Sequence, residues 1–174
     1  MKNIAFIVLV TAFLVTGCTI TKPATNTNNT NENTNTNSEV NSDTNEVDIG
    51  NNNLNLSNQG LDKIPEYVFS QTKLESLNVS GNNLTGSIQA EIRHLQNLRV
   101  LNASNNQMTG VPAEIGQLSK LEILDLSNNQ LTGLPNELAN LKNLKALNLS
   151  GNNYSQHDLD IIIQGLPKDI TIIK

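Results

Sequence analysis

Leu121-Glu122-Ile123-Leu124-Asp125-Leu126-Ser127-Asn128-Asn129-Gln130-Leu131 is the stretch on which the fold turns. The same frame stands one period earlier as Leu98-Arg99-Val100-Leu101-Asn102-Ala103-Ser104-Asn105-Asn106-Gln107-Met108, and one period later as Leu144-Lys145-Ala146-Leu147-Asn148-Leu149-Ser150-Gly151-Asn152-Asn153-Tyr154. A fourth copy, Leu74-Glu75-Ser76-Leu77-Asn78-Val79-Ser80-Gly81-Asn82-Asn83-Leu84, precedes these, and a less regular fifth runs from Asn51 to Leu61 around Leu54 and Leu56. Within each frame the Leu-x-Leu pair alternates inward and outward as a short strand does. One repeat has too little apolar material for a core of its own, so its apolar positions must all face one side and be covered by the neighbouring repeats.

The frame resembles that of the leucine-rich repeat family over residues 51–174. The resemblance implies an α/β solenoid: a right-handed coil with short parallel β-strands on a concave face and short helical or 3-10 turns on a convex face. The column Asn82, Asn106, Asn129 and Asn152 follows the strand, where the chain must turn. A buried side-chain amide there can serve backbone groups that the turn leaves unpaired, and stacked copies can bond one another. These asparagines are therefore read as structural rather than as ligands.

The other half of each repeat carries Ile64-Pro65-Glu66, Val111-Pro112-Ala113 and Leu134-Pro135-Asn136. Proline fixes φ and favours a first helical position, which predicts a single short turn with apolar residues three apart pointing inward. The second repeat, Leu84-Thr85-Gly86-Ser87-Ile88-Gln89, has one extra residue and Gln89 in the proline position, and there it is similar to the plant-type variant of the family. A local bulge on the convex side is expected.

Solenoids expose their core at both ends unless the terminal repeats are atypical. At the start Gln59 replaces the column asparagine and Asn51 the leading leucine, so a polar first coil is expected, with Val47 and Ile49 across it. At the end Ser155-Gln156-His157-Asp158 resembles a capping box with Asp in the usual Glu position, followed by Leu159, Ile162, Ile163 and Leu166 at helical spacing. A capping helix over about residues 156–164 follows, with Gly165 as its C-terminal cap and Pro167 preventing continuation. Ile170-Thr171-Ile172 reads as a last strand, with Ile170 one period after Leu147 and so its expected partner, and the cap as a whole occupies residues 155–174.

Before the repeats the chain changes character twice. Residues 1–17 open with Lys2, continue through an apolar run from Ile4 to Val15 and finish in Thr16-Gly17, which is the order of a secretory signal peptide. The apolar run is roughly a dozen residues, short of the ~20 needed to span a bilayer. Val15-Thr16-Gly17-Cys18 resembles the lipobox of bacterial lipoproteins. That resemblance implies lipid attachment at Cys18, which becomes the mature N-terminus, and a place on the cell membrane or outer membrane facing away from the cytoplasm. Residues 18–48 then form an Asn- and Thr-rich linker with too few apolar residues to offset chain entropy, expected to be disordered and to reach roughly 30 Å. A glycosylated stalk and an Asn-rich aggregation-prone tract are the alternatives for it. Asp43, Asn45, Glu46 and Asp48 invite a calcium loop, but Val47 stands where a ligand is needed and the required glycine is missing, so no metal site is read. The repeat domain itself is set at residues 49–174.

With 11 basic and 16 acidic residues the net charge is −5, and no stripe of Lys and Arg offers itself to a phosphate backbone, so nucleic acid is not an expected partner. Aromatic residues are 3% of the chain and Trp is absent, which disfavours a glycan-binding role. His94 and His157 sit far apart in the frame and no Gly-rich phosphate loop follows a strand, so neither an enzyme nor a cofactor is expected. What remains is a binding surface. Its outward columns are Asn55, Asn78, Asn102, Asp125 and Asn148, then Ser57, Ser80, Ser104, Ser127 and Ser150, with a flanking column of Asn52, Glu75, Arg99, Glu122 and Lys145. Val100, Ile123 and Ala146 form a small apolar patch beside it. The expected activity is protein–protein interaction or adhesion by a monomer through this face, with Glu75, Asn78, Arg99, Val100, Asn102, Glu122, Ile123, Asp125, Lys145 and Asn148 as candidate contacts. The alternative is a passive component of the cell envelope whose Asn and Ser columns are only repeat consensus.

Overall fold

A computed structural model of the chain describes residues 52–174. The apolar N-terminal run, Cys18, the Asn/Thr-rich stretch and the proposed cover by Val47, Ile49 and Asn51 lie outside these residues.

The repeat period becomes a parallel sheet. Strands β1 (Asn53–Asn55), β2 (Ser76–Asn78), β4 (Val100–Asn102), β6 (Ile123–Asp125), β7 (Ala146–Asn148) and β8 (Thr171–Ile173) lie side by side in sequence order. Leu54, Leu77, Leu101, Leu124 and Leu147 pair in register, one per strand. Each of Leu77, Leu101, Leu124 and Leu147 is fully buried, and so are Val79, Ala103, Leu126 and Leu149 two positions on. Opposite the sheet, four 3-10 turns cover the core: Glu66–Ser70, Ala90–His94, Ala113–Gln117 and Asn136–Asn140. Ile92 and Leu95, Ile115 and Leu118, and Leu138 and Leu141 reach inward from them at the expected spacing of three.

Proline stands one place earlier than a first helical position. Pro65, Pro112 and Pro135 are the capping residues before the turns, with φ from −59° to −73° and ψ near 140°. Gln89 takes the same backbone angles (−62°, 144°), so the second turn begins like the others without proline. Its side-chain amide donates to the Ile64 carbonyl of the preceding coil at 2.6 Å. The extra residue of this repeat does not bulge the turn, which keeps its five residues. It is taken up before the turn, where Gly86 at φ +67° redirects the chain. There Thr85–Gly86 (β3) pairs in parallel with Gln107–Met108 (β5), forming a separate two-stranded sheet.

The asparagine column is buried at Asn82, Asn106 and Asn129, and each copy ties two coils together. Asn129 Nδ2 donates to the Leu126 and Ser127 carbonyls of its own coil (3.0 and 3.2 Å) and to the Ala103 carbonyl of the coil before (3.0 Å). Its Oδ1 accepts from the Met108 N–H at 3.0 Å. Asn82, Asn106 and Asn152 repeat the arrangement. The stacked amides bond backbone rather than one another, because the strand ends of two coils present more unpaired groups than a neighbouring amide could. One residue before each column position the backbone is left-handed: Asn58, Gly81, Asn105, Asn128 and Gly151 have φ between 52° and 69°. Both glycine and asparagine occur there since both enter this region at little cost, and a Cβ on Gly81 would lie 2.2 Å from Asn58 Oδ1.

Both ends depart from the frame. Gln71 closes the first turn where Leu95, Leu118 and Leu141 close the others, and its buried Oε1 has no hydrogen-bond partner among the described residues. Gln59 is exposed, so the first coil places no buried amide at this position of the column. At the other end α1 (Gln156–Ile163) covers the last turn with Leu159 and Ile162. Only half of the capping box forms. Ser155 Oγ accepts from the Asp158 N–H at 3.3 Å, while Asp158 Oδ2 accepts from the Leu134 N–H of the preceding coil at 3.2 Å. Gly165 is not a left-handed cap. It is small because a Cβ would lie 2.7 Å from Ala139 Cβ. The last strand is shifted by two positions from the sequence expectation: Leu147 pairs with Ile172, not Ile170. A helix of 8 residues replaces a turn of 5 here and consumes the extra chain.

Removing the Asn129 amide orphans the buried Met108 N–H, while the Leu126, Ser127 and Ala103 carbonyls each lose one donor and keep another, from Asn152, Asn105 and Asn106, so Asn129→Ala should cost roughly 1–3 kcal/mol in urea or thermal unfolding. Asn105→Gly, at a left-handed exposed position, should stay within about 1 kcal/mol of wild type.

Candidate functional site

The strand geometry puts two columns of side chains on the displayed face, because the leucine between them points into the core. The first holds Asn53, Ser76, Val100, Ile123, Ala146 and Thr171, paired in register across the sheet. Val100 and Ala146 are half-buried, and Ile123 between them is 43% exposed. The second column holds Asn55, Asn78, Asn102, Asp125 and Asn148 and ends in Ile173, also 43% exposed. Ile173 escapes sequence reading because the repeat frame gives its strand the wrong register. The added residues of the capping helix are the signal that reveals it.

The serine column is not part of the display. Ser104 and Ser127 are buried and Ser57, Ser80 and Ser150 half-buried. Each takes part in a local turn with the residue two before it. Asn78 Oδ1 accepts from the Ser80 N–H (3.0 Å) and Oγ–H (2.7 Å), Asn102 Oδ1 does the same for Ser104, Asp125 Oδ1 for Ser127 and Asn148 Oδ1 for Ser150. One oxygen of each Asn or Asp therefore belongs to the fold. What these residues can offer a partner is the other half of the group, an amide N–H₂ from Asn78, Asn102 and Asn148 and a carboxylate oxygen from Asp125.

The flanking column forms a ladder of its own. Asn52 Nδ2 donates to Glu75 Oε1 at 3.1 Å, and the Arg99 guanidinium lies 3.8 Å from Glu75 Oε2. Arg99 also holds Glu122 Oε1 through Nη2 (2.6 Å) and Nε (2.7 Å), and Lys145 Nζ holds Glu122 Oε2 at 2.5 Å. Signs alternate along the column, so Glu75, Arg99, Glu122 and Lys145 neutralise one another instead of standing free. The Lys145 ammonium and the Arg99 guanidinium hold the Glu122 carboxyl below the ordinary carboxylate range. Glu122 is thus the centre of the ladder, with a cation on each side.

Asn53, Glu75, Ser76, Arg99, Val100, Glu122 and Ile123 line a shallow groove across β1, β2, β4 and β6. Such a surface suits an extended contact more than an enclosed small molecule. His94 and His157 are exposed, on the second turn and on the capping helix. Among the described residues no cluster of His, Cys, Asp and Glu could hold a metal ion, and no helix is long and apolar enough to cross a membrane.

Comparisons with known proteins place this geometry. Residues 51–108 match the family model described as leucine rich repeat, and residues 96–136 and 119–164 match the model described as leucine rich repeats, two copies. No curated protein matches the chain. Among solved structures it is similar to a leucine-rich repeat protein of Leptospira interrogans, with 42% identity and a TM-score of 0.60 over 64% of this chain and 28% of that one. An internalin of Listeria monocytogenes is similar at 25% identity and a TM-score of 0.55, over 64% of this chain and 31% of the internalin. A chain of the BIR3–SERK2 complex of Arabidopsis thaliana shares 38% identity at a TM-score of 0.50, over 53% of this chain and 51% of that one. The chain spans less than two thirds of the length of each of these relatives.

The ladder should be readable in acid. A carboxyl whose folded pKa lies below its unfolded value contributes stability that is present above the unfolded value and is lost as pH falls through the folded one. Lowering the pH from neutral through the carboxylate range should therefore reduce the melting temperature of wild type more than that of Glu122→Gln, and high salt at neutral pH should narrow the gap between them.

Proposed function

We propose that this chain, which belongs to the leucine-rich repeat family, is a membrane-tethered binding protein that engages a protein partner on its displayed sheet face. The observation that carries the reading is the apolar step Val100-Ile123-Ala146, with Ile123 43% exposed in the middle of a rigid sheet whose backbone is already fully used by its neighbours. The core does not need an isoleucine there, since Ser76 and Thr171 occupy the same column towards its ends. Exposed apolar side chains set in a polar rim are the ordinary form of a protein contact. The similar Arabidopsis chain comes from a complex of two proteins, which supports a protein partner. A passive role in the cell envelope is the second reading, and the self-neutralised charge ladder is what favours it.

The tether rests on the sequence alone. Val15-Thr16-Gly17-Cys18 after a short apolar run supports lipid attachment at Cys18, with the repeats facing away from the cytoplasm beyond the Asn- and Thr-rich stretch. The partner then comes to the cell surface or lies within reach of the tether.

Crosslinking of intact cells followed by pull-down should recover a defined set of proteins with wild type and lose it with Val100→Glu combined with Ile123→Lys. Recovery of the same set by both chains would remove the sheet face from consideration. For the anchor, a fatty-acid analogue should label wild type and not Cys18→Ser. Equal labelling of the two would end the lipoprotein reading.

A further inference from the structure

Over the five repeat coils, before the capping strand with its Ile173, the column that ends each strand has one departure from asparagine, and the fold does not ask for it. Asn55, Asn78, Asn102 and Asn148 each give Oδ1 to the N–H of the serine two residues on, at 3.0 to 3.2 Å. Asp125 gives Oδ1 to Ser127 N–H at 2.9 Å and to its hydroxyl at 2.6 Å, which is the same bonding. One neutral acceptor oxygen satisfies this turn in four of the five coils. The negative charge of Asp125 is therefore surplus to the structure.

That charge is also left without a counter-ion. The two cations nearest in the frame, Arg99 and Lys145, are committed to Glu122 at 2.6 and 2.5 Å, and among the described residues Asp125 has no salt bridge. Its sheet neighbours in register are Asn102 and Asn148, both neutral. Two positions before it on the same strand, and so on the same face roughly 7 Å away, stands Ile123 with Val100 and Ala146 beside it. The centre of the displayed face thus pairs one uncompensated carboxylate with one apolar step.

We propose that the partner presents a lysine or arginine side chain to Asp125 beside a branched aliphatic side chain that covers Ile123. This rests on the reading of the sheet face as the binding surface. Charge complementarity selects the occupant. Covering Asp125 with an apolar group would desolvate a carboxylate without a partner, and covering it with an acidic group would add repulsion, whereas a cationic donor both pairs the carboxylate and cancels its charge. The amide N–H₂ groups of Asn102 and Asn148 remain to donate to the partner's carbonyl oxygens around that contact.

Asp125→Asn is the informative variant, since it restores the residue found at the four other coils and keeps the acceptor for Ser127. A random linear peptide library displayed on phage is panned on the full chain as wild type, Asp125→Asn and Ile123→Glu, with unchanged circular dichroism as the folding check. Wild type should enrich peptides in which Lys or Arg accompanies Ile, Leu or Val. Asp125→Asn should lose the basic preference, keep the aliphatic one and bind a wild-type-selected peptide about tenfold more weakly. That peptide's affinity for wild type should fall with added salt. If wild type and Asp125→Asn select the same residues while Ile123→Glu abolishes binding, the role of Asp125 is overturned and the sheet-face reading stands. If nothing is enriched, or if the selected peptides bind Ile123→Glu undiminished, both fall.

Discussion

The buried side-chain amide at the end of each strand is the interaction on which the solenoid depends. A chain that turns sharply after a three-position strand leaves carbonyls and N–H groups that no ladder can pair, and they lie against a leucine core where water cannot reach. Asn129 serves groups of both its own coil and the preceding one, and Asn82, Asn106 and Asn152 do likewise. The leucines supply most of the driving force for stacking, and the asparagines set its geometry, because an unmade buried hydrogen bond costs more than a made one contributes. Residues that share no contact in one coil are thereby locked into the next.

With the backbone satisfied in this way, the displayed face is relieved of structural duty only in part. The second column spends one oxygen per residue on the following serine, and the flanking column spends its charges on itself. Subtracting these leaves a smaller set of groups for a partner: the Val100-Ile123-Ala146 step, Ile173, the amides of Asn55, Asn78, Asn102 and Asn148, and the outer oxygen of Asp125. A face assembled from repeat consensus becomes specific at the positions where a repeat departs from consensus without structural need. Asp125 is one such position and Ile123 is another.

The departures at the ends and in the second repeat have a different character, since each is answered by a contact. Gln89 replaces proline and bonds the Ile64 carbonyl, Gly86 turns the chain into a small second sheet, and Asp158 leaves its own helix cap to serve Leu134. Asp158 does so because its side chain is one methylene shorter than the glutamate that closes a full capping box. Gln71 is the exception, a polar side chain in a leucine column with a buried oxygen left over. It marks the first coil as a different surface from those that follow.

How much of this is legible in the chain follows from what each feature depends on. The repeat period, the inward leucines, the structural asparagines and the capping helix are readable, because burial and backbone hydrogen bonding impose the same demand on every coil and so recur along the sequence. The pairing of Glu75, Arg99, Glu122 and Lys145, the burial of Ser104 and Ser127, and the isolation of Asp125 are not. They are decided between side chains a full repeat apart in sequence that the sheet brings to neighbouring strands about 5 Å apart. The register of β8 escapes for a related reason: only the packed length of α1 determines that Ile172 rather than Ile170 meets Leu147. Sequence alone determined that there is a displayed sheet face; the tertiary structure decided which of its groups are left free, because hydrogen bonds within each coil and ion pairs between coils consume the rest.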